Sequence, residues 1–176
     1  SVIMKNYFII VGPDDDPADV GKEKSAVDAF KKIYACGSLS ESACFFVSRG
    51  DNSGTHAREL LLWKAAGADA GNAKFRMETG QGMGATLLIA DEKRVYCLSD
   101  WATYAAMKNK LSLKVLYHNE KDKDTLNEYC AIPVNPLKHP GVKHEQAVKF
   151  IEWLKSDRAG LIITSMQKNG ENLFTR

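Results

Sequence analysis

Three short segments place hydroxyls and charged side chains, accompanied in two of them by glycines, where a strand pattern gives way to a helix pattern. The first covers residues 48–56, S-R-G-D-N-S-G-T-H. Backbone N–H groups at a helix start lack intrahelical partners and lie at the positive end of the helix dipole. Ser53 and Thr55 add hydroxyl groups, and Gly54 lets a ligand approach the backbone closely. Arg49 offers a planar, charged pair of donors. This combination is suited to binding an oxyanion.

The same segment also has a purely structural interpretation. Ser53 can cap the helix, and Gly50 can form a turn. Arg49 can pair with Asp51. For an isolated S-G-T the structural interpretation would be preferred. With the arginine, the aspartate and the strand–helix context, anion binding and the structural interpretation are supported about equally.

A second segment, residues 78–86, reads E-T-G-Q-G-M-G-A-T and lies between a short strand pattern at 75–77 and an apolar helix pattern at 85–90. Its glycines follow G-x-G-x-G and not the dinucleotide fingerprint G-x-G-x-x-G, and no strongly apolar strand or acidic ribose partner accompanies them. It also lacks the Lys-Ser/Thr pair of a nucleotide P-loop. The segment is therefore suited to a small anion or to a tight turn.

A third segment, residues 98–104, reads L-S-D-W-A-T-Y, and either Ser99 or Asp100 can cap the helix that follows. In an open α/β sheet such junctions gather at the carboxyl ends of the strands, where ligands bind. We therefore predict one ligand site with a main set and a further set of residues. The main set is Arg49, Ser53, Gly54, Thr55, Thr79, Gly80 and Gln81, and the further candidates are Ser48, Met83 and Trp101.

Alternating helix and strand patterns along the 176 residues predict an α/β fold. Strands are expected at residues 7–12, 95–98, 113–117 and 129–134, and two C-terminal helices at 147–154 and 159–166. The net charge of +2, with scattered lysines, argues against a nucleic-acid partner. No segment is long and apolar enough to insert into a membrane. Residues 14–17, D-D-D-P, predict a solvated turn, and neither a metal site nor a cofactor is expected.

Five motifs extend the picture over almost the whole chain. They are F-V-S-R-G-D-N-S-G-T-H at 46–56, E-L-x-L-W-K-A-A-G at 59–67, E-T-G-Q-G-M-G-A-T-L at 78–87, N-P-x-K-H-P-G-V at 135–142 and N-G-x-N-L-F at 169–174. With them the chain resembles the tungstate-binding protein family, the solute receptors of bacterial and archaeal tungstate ABC transporters. The resemblance implies a two-lobed periplasmic-binding-protein fold that holds tungstate, or molybdate, in a cleft between the lobes without chemistry. It further implies a membrane permease as partner and a periplasmic or extracellular location, although the chain shows no signal-peptide pattern.

The resemblance also implies a domain organisation. Residues 1–12 would hold a lobe-crossing strand, 13–128 the second lobe, and 129–176 a return strand with the C-terminal helices of the first lobe. The N-terminal part of the first lobe, with its T-T-T-S loop, would be absent from this sequence, so the two C-terminal helices should expose apolar faces.

Two local features are judged against the same family pattern. Typical members read T-D-R-G-T-Y at the third junction, so Trp101 stands where an arginine is expected. The connection between Cys36 and Cys44 is longer than usual, which favours a disulfide there. Cys97 and Cys130 lie in apolar runs that suit buried free thiols, and an even cysteine count leaves their pairing open.

Other functions remain as alternatives. Residues 49–55, which read R-x-D-x-S-G-T, also resemble the signature of phosphate-binding receptors, in which a carboxylate accepts the proton of the ligand. Tungstate has no such proton, so with tungstate as the ligand Asp51 should turn toward Arg49 or backbone N–H groups. A sensory domain of the same fold is a further alternative. An enzyme built on Asp51, Ser53 and His56 is disfavoured, because their spacing does not create a triad and G-x-S-x-G is absent.

Overall fold

The computed structural model describes residues 1–40, 44–71 and 73–176, and these fold into two units. The first unit comprises Ser1–Asn6 and Asn127–Arg176, and the second comprises Tyr7–Leu126. The α/β class predicted from the sequence is confirmed. The assignment of these segments to two lobes of a larger receptor stays a prediction.

The second unit is built on a sheet with the strand order β3-β2-β4-β1-β5. β2 pairs in parallel with β3 and β4, whereas β1 is antiparallel to β4 and β5. The loops that follow β2, β3 and β4 therefore leave the same edge of the sheet. The strands are β1 (Val2–Gly12), β2 (Phe46–Ser48), β3 (Arg76–Glu78), β4 (Tyr96–Asp100) and β5 (Lys114–Tyr117).

Both faces of this sheet are buried, because helices cover each side. Successive residues of β1 point to opposite faces, so Phe8 and Ile10 join one core cluster while Ile9 and Val11 join the other. The first cluster also contains the T-shaped contact between Phe30 and Trp63. The helices of this unit are α1 (Ala26–Leu39), α2 (Gly54–Ala65), α3 (Met83–Lys93) and α4 (Trp101–Met107).

The first unit has a smaller core. β6 (Leu126–Cys130) pairs with β1, and Ile3, Ile151 and Ile163 form the buried cluster. Two helices and a hairpin follow, namely α5 (His144–Leu154), α6 (Asp157–Thr164), β7 (Gln167–Lys168) and β8 (Glu171–Asn172). Both helices expose large apolar side chains: Val148, Phe150, Trp153, Leu161 and Ile162.

The strand predicted at residues 129–134 is wrong in its bounds. It begins at Leu126 and ends at Cys130, and Ile132 and Val134 are exposed. The physical reason lies in Pro133, which interrupts the predicted run because proline has no N–H to donate to a neighbouring strand. The preceding Ala131 still donates its N–H to the carbonyl oxygen of Ser1.

The cysteines follow the predictions in part. The disulfide between Cys36 and Cys44 is confirmed, and Cys97 is a buried free thiol. The expectation of burial for Cys130 is wrong, because it lies with Glu128 on the exposed face of β6. The intervening Tyr129 points to the other face and contacts Phe174.

Candidate functional site

The first two glycine-bearing loops are joined directly by hydrogen bonds. The N–H groups of Thr79 and Gly80 donate to the carbonyl oxygens of Ser48 and Arg49, each at 3.0 Å. The Thr79 hydroxyl also donates to the Arg49 carbonyl at 3.2 Å. The two loops therefore lie together, whereas their joint role in one ligand site stays a prediction. The cause of their proximity is the parallel pairing of β2 with β3, which brings the carboxyl ends of these strands together.

The segment that enters α2 is ordered by its own side chains. The Ser53 hydroxyl caps the helix by accepting the His56 N–H at 3.4 Å, and Gly50 takes a positive φ of 62°. Asp51 Oδ2 lies 2.8 Å from Arg49 Nε, too poorly aligned for a hydrogen bond but close enough for an ion pair. The structural roles proposed for these residues are therefore all present.

These contacts still leave donors at the start of α2. In the described part of the chain, no acceptor is found for the backbone N–H groups of Gly54 and Thr55. Gly54 is exposed, and an added Cβ there would have no atom within 4 Å. A ligand can therefore approach this helix start, with the Arg49 guanidinium nearby.

Asp51 is held in its ionised form. Burial favours its neutral form, but hydrogen bonds from Ser53 and the charge of Arg49 outweigh this, so the pKa of the carboxyl lies below its usual range. The stabilisation is present above the unfolded-state pKa and is lost as the pH falls through the folded-state value. Asp51 Oδ1 accepts the Ser53 N–H at 3.1 Å, so Asp51 turns toward Arg49 and the backbone as expected.

The start of α3 has no side-chain cap. Its N-cap is Gly82, and the N–H of Gln81 donates to the Thr79 hydroxyl at 3.2 Å. Thr79, Gly80 and Gln81 donate their N–H groups within the loops. The N–H groups that can still reach a ligand therefore belong to the residues that follow Gln81. No acceptor for the N–H groups of residues 82–85 is found among residues 1–40, 44–71 and 73–176. The Met83 side chain is buried in the second core cluster, so this residue offers only its backbone.

A buried ionic network joins α2 to β2 and β3, the strands that lead into the two loops. Glu59 is 2% exposed and accepts hydrogen bonds from Ser48 Oγ at 2.5 Å, Trp63 Nε1 at 3.0 Å and Arg76 Nε at 2.9 Å. Arg76 also donates to Ser48 Oγ and to Glu78 Oε1, each at 2.9 Å. Glu59 and Arg76 are not among the residues predicted from the sequence, although the spacing of Glu59 and Trp63 places these two on one helix face. The Ser48 hydroxyl is thus engaged inside the protein.

The third junction is arranged differently. Asp100 is the N-cap of α4 and accepts the Thr103 N–H at 2.9 Å. Trp101 is half-buried against the second core cluster, and its ring stacks on His118 at a centroid distance of 5.0 Å. His118 directly follows β5. The roles of Trp101 and the other candidate residues toward a ligand stay predictions.

The three residues considered for an enzyme do not form a triad. Ser53 Oγ accepts the backbone N–H of His56, and the His56 ring accepts the Asn52 N–H through Nδ1 at 3.1 Å. Asp51 contacts Arg49 and the Ser53 backbone.

No helix in the described ranges combines the length and apolar character needed to cross a membrane.

Comparison with known proteins supplies the family context. A model described as PBP superfamily domain matches residues 1–158. The tungstate-binding protein TupA of Peptoclostridium acidaminophilum is 40% identical over 177 residues, covering 98% of this chain and 59% of that protein. The chain spans 49 to 62% of the length of three curated relatives.

Two solved structures are also similar. The tungstate ABC transporter structure from Geobacter sulfurreducens is 38% identical, with a TM-score of 0.78 over 94% of this chain and 67% of that one. The tungstate-binding protein TupA from Desulfovibrio alaskensis is 39% identical, with a TM-score of 0.76 over 98% and 67% of the two chains.

Proposed function

This chain belongs to the PBP superfamily, and on that premise we propose that it captures a tetrahedral oxyanion for an ABC transporter. Tungstate is the proposed ligand, because proteins 38 to 40% identical carry that ligand in their names. Molybdate, with the same charge and shape, is the second candidate. The membrane permease of the transporter is the proposed partner, in the periplasm or outside the cell.

The pairing of two helix starts carries the proposal. α2 and α3 begin at the same edge of the sheet, and the loops that precede them share three hydrogen bonds. Each start presents N–H groups without an acceptor in the described residues, and each lies at the positive end of a helix dipole. An oxyanion, which only accepts hydrogen bonds, matches such a surface. Arg49 at the same loop supplies a charged donor.

The state of Asp51 favours a fully deprotonated anion over phosphate. A protonated phosphate needs a carboxylate that can accept its hydrogen. Both Asp51 oxygens are already engaged, one with Arg49 and one with the Ser53 N–H. This supports tungstate or molybdate, and binding without chemistry, since Ser53 and His56 are not arranged as nucleophile and base.

Calorimetric titration of the purified protein with tungstate, molybdate, sulfate and phosphate tests this function. We expect tungstate and molybdate to bind much more tightly than phosphate. Arg49→Ala should weaken tungstate binding about ten- to a hundredfold, because a charge-assisted hydrogen bond contributes about 1.5–3 kcal/mol. Lys93→Ala serves as the control, since it removes one positive charge from the last turn of α3, at the end remote from the loops. Unchanged affinity in Arg49→Ala would show that Arg49 has only a structural role.

A further inference from the structure

His56 is a buried side chain that contacts the first loop from the first turn of α2. It is 6% exposed, and its Nδ1 accepts the N–H of Asn52 at 3.1 Å. A backbone N–H can only donate, so Nδ1 must be the unprotonated ring nitrogen. The neutral ring therefore carries its hydrogen on Nε2.

The Nε2–H group is the unusual feature. Nε2 is buried and has no hydrogen-bond partner within the described residues. A carboxylate oxygen, Oε1 of Glu78, lies 3.6 Å away, beyond hydrogen-bond distance. Buried donors are nearly always satisfied in native proteins, so an unsatisfied one of this kind needs an explanation.

The charged groups around His56 belong to both loops. On the β3 side, Glu78 Oε1 accepts from Arg76 at 2.9 Å, and Arg76 also pairs with Glu59 of α2. On the β2 side, Arg49 pairs with Asp51. His56 thus contacts the loop that enters α2 through one nitrogen and faces Glu78, which immediately precedes the second glycine-bearing loop, through the other.

We infer that His56 is a positioning residue that sets the spacing of the two helix starts around a bound oxyanion. Its Nδ1 holds the Asn52 backbone, and its Nε2–H bonds to Glu78 when an anion draws the two loops together. The spacing so fixed suits tungstate or molybdate better than the smaller sulfate ion. This inference rests on the proposed function, because it needs an anion at the starts of α2 and α3.

Two substitutions separate the roles of the ring nitrogens. In His56→Asn the amide oxygen can replace Nδ1 and keep the Asn52 contact, but the Nε2–H donor is lost. In His56→Gln the amide nitrogen can replace Nε2, but the acceptor for Asn52 is lost. Each should weaken tungstate binding about three- to tenfold, the effect of one neutral hydrogen bond, and lower the ratio of tungstate to sulfate affinity. His139→Asn, at an exposed position in the first unit, is the matched control and should bind as the wild type does.

The wild-type protein provides an independent measurement. In nitrogen–proton NMR spectra, addition of sodium tungstate should move the His56 Nε2–H resonance downfield and slow its exchange with water, as a new hydrogen bond forms. A wild-type protein that binds no oxyanion would overturn the proposed function and this inference with it. A wild-type protein that binds tungstate, with an unmoved Nε2–H resonance or with wild-type affinity and selectivity in both folded variants, would overturn the role of His56 alone.

Discussion

At the scale of single residues, the structural and the proposed binding contacts use different atoms of the same side chains and backbone. Arg49 uses Nε with Asp51, which leaves the terminal nitrogens of its guanidinium for other acceptors. Ser53 uses its hydroxyl as a cap, while the next two N–H groups remain without an acceptor in the described chain. The structural interpretation of this segment and the anion-binding one are therefore compatible.

The buried Glu59 should be essential to the stability of the second unit. Glu59→Gln keeps the shape but removes the buried one of the two carboxylates that pair with Arg76, and it turns one acceptor into a donor that faces other donors. We expect the free energy of unfolding to fall by about 3–5 kcal/mol, as for other broken buried ion pairs. Urea-induced unfolding measures this. Glu152→Gln is the control, since that side chain is 63% exposed and, within the described ranges, pairs only with Lys155, so little change is expected. Equal effects of the two substitutions would contradict the prediction.

At the scale of elements, α3 begins without a side-chain cap, a property that it shares only with α5 among the described α-helices. In α1, α2, α4 and α6 the side chain of the N-cap residue accepts a backbone N–H. These N-cap residues are Ser25, Ser53, Asp100 and Ser156. α3 begins at Gly82 without such a bond. The uncapped start lowers local stability but keeps its N–H groups accessible to a ligand.

A side-chain cap on α3 should therefore raise the stability of the protein and weaken its binding of tungstate. The φ of Gly82 is −64°, and a Cβ there would have no atom within 4 Å, so Gly82→Asp is sterically allowed. We expect a gain of about 0.5–1 kcal/mol in unfolding free energy from the cap and the helix dipole. Tungstate affinity should fall, because the new carboxylate occupies N–H groups and repels the anion. Gly82→Asn is the matched neutral cap and should weaken binding less, which thermal unfolding and calorimetry together can establish. Tighter binding in Gly82→Asp would refute this account of α3.

The elements that could be predicted are those with local signals. The strand, turn and cap around residues 46–56 follow from an apolar run, a glycine and a serine next to one another in the sequence. The end of β6 was predicted too late, because the apolar Ile132 and Val134 suit a strand and Pro133 between them, which has no N–H for a strand ladder, was given too little weight. In the site, the loops after β2 and β3 could be predicted to lie together, because the carboxyl ends of parallel strands are at the same edge of a sheet. Which N–H groups stay unused depends on the pairing register of β2 and β3, which no local pattern encodes.

At the scale of the whole molecule, burial differs between the two units. The sheet of the second unit is covered on both faces, and the chain places residues such as Ile9, Ile10 and Val11 there without exposed surface. In the first unit, the stacked rings of Phe150 and Trp153 on α5 are 58% and 45% exposed. Each unit also contains one of the two free cysteines, Cys130 in the first and Cys97 in the second.

These two thiols make the opening of the second unit measurable as a chemical rate. Burial, with a smaller contribution from Glu59, raises the pKa of the Cys97 thiol and disfavours the reactive thiolate. Iodoacetamide should therefore alkylate the exposed Cys130 quickly and Cys97 only when the second unit transiently opens. Tungstate at about 100 times its Kd should slow alkylation of Cys97 by up to about a hundredfold, because it stabilises the closed form by mass action. Mass spectrometry of timed samples resolves the two sites, with the rate at Cys130 as the internal reference. If tungstate left the Cys97 rate unchanged, the opening that exposes this thiol would be independent of the anion site, and kinetic protection by the ligand would be confined to the loops.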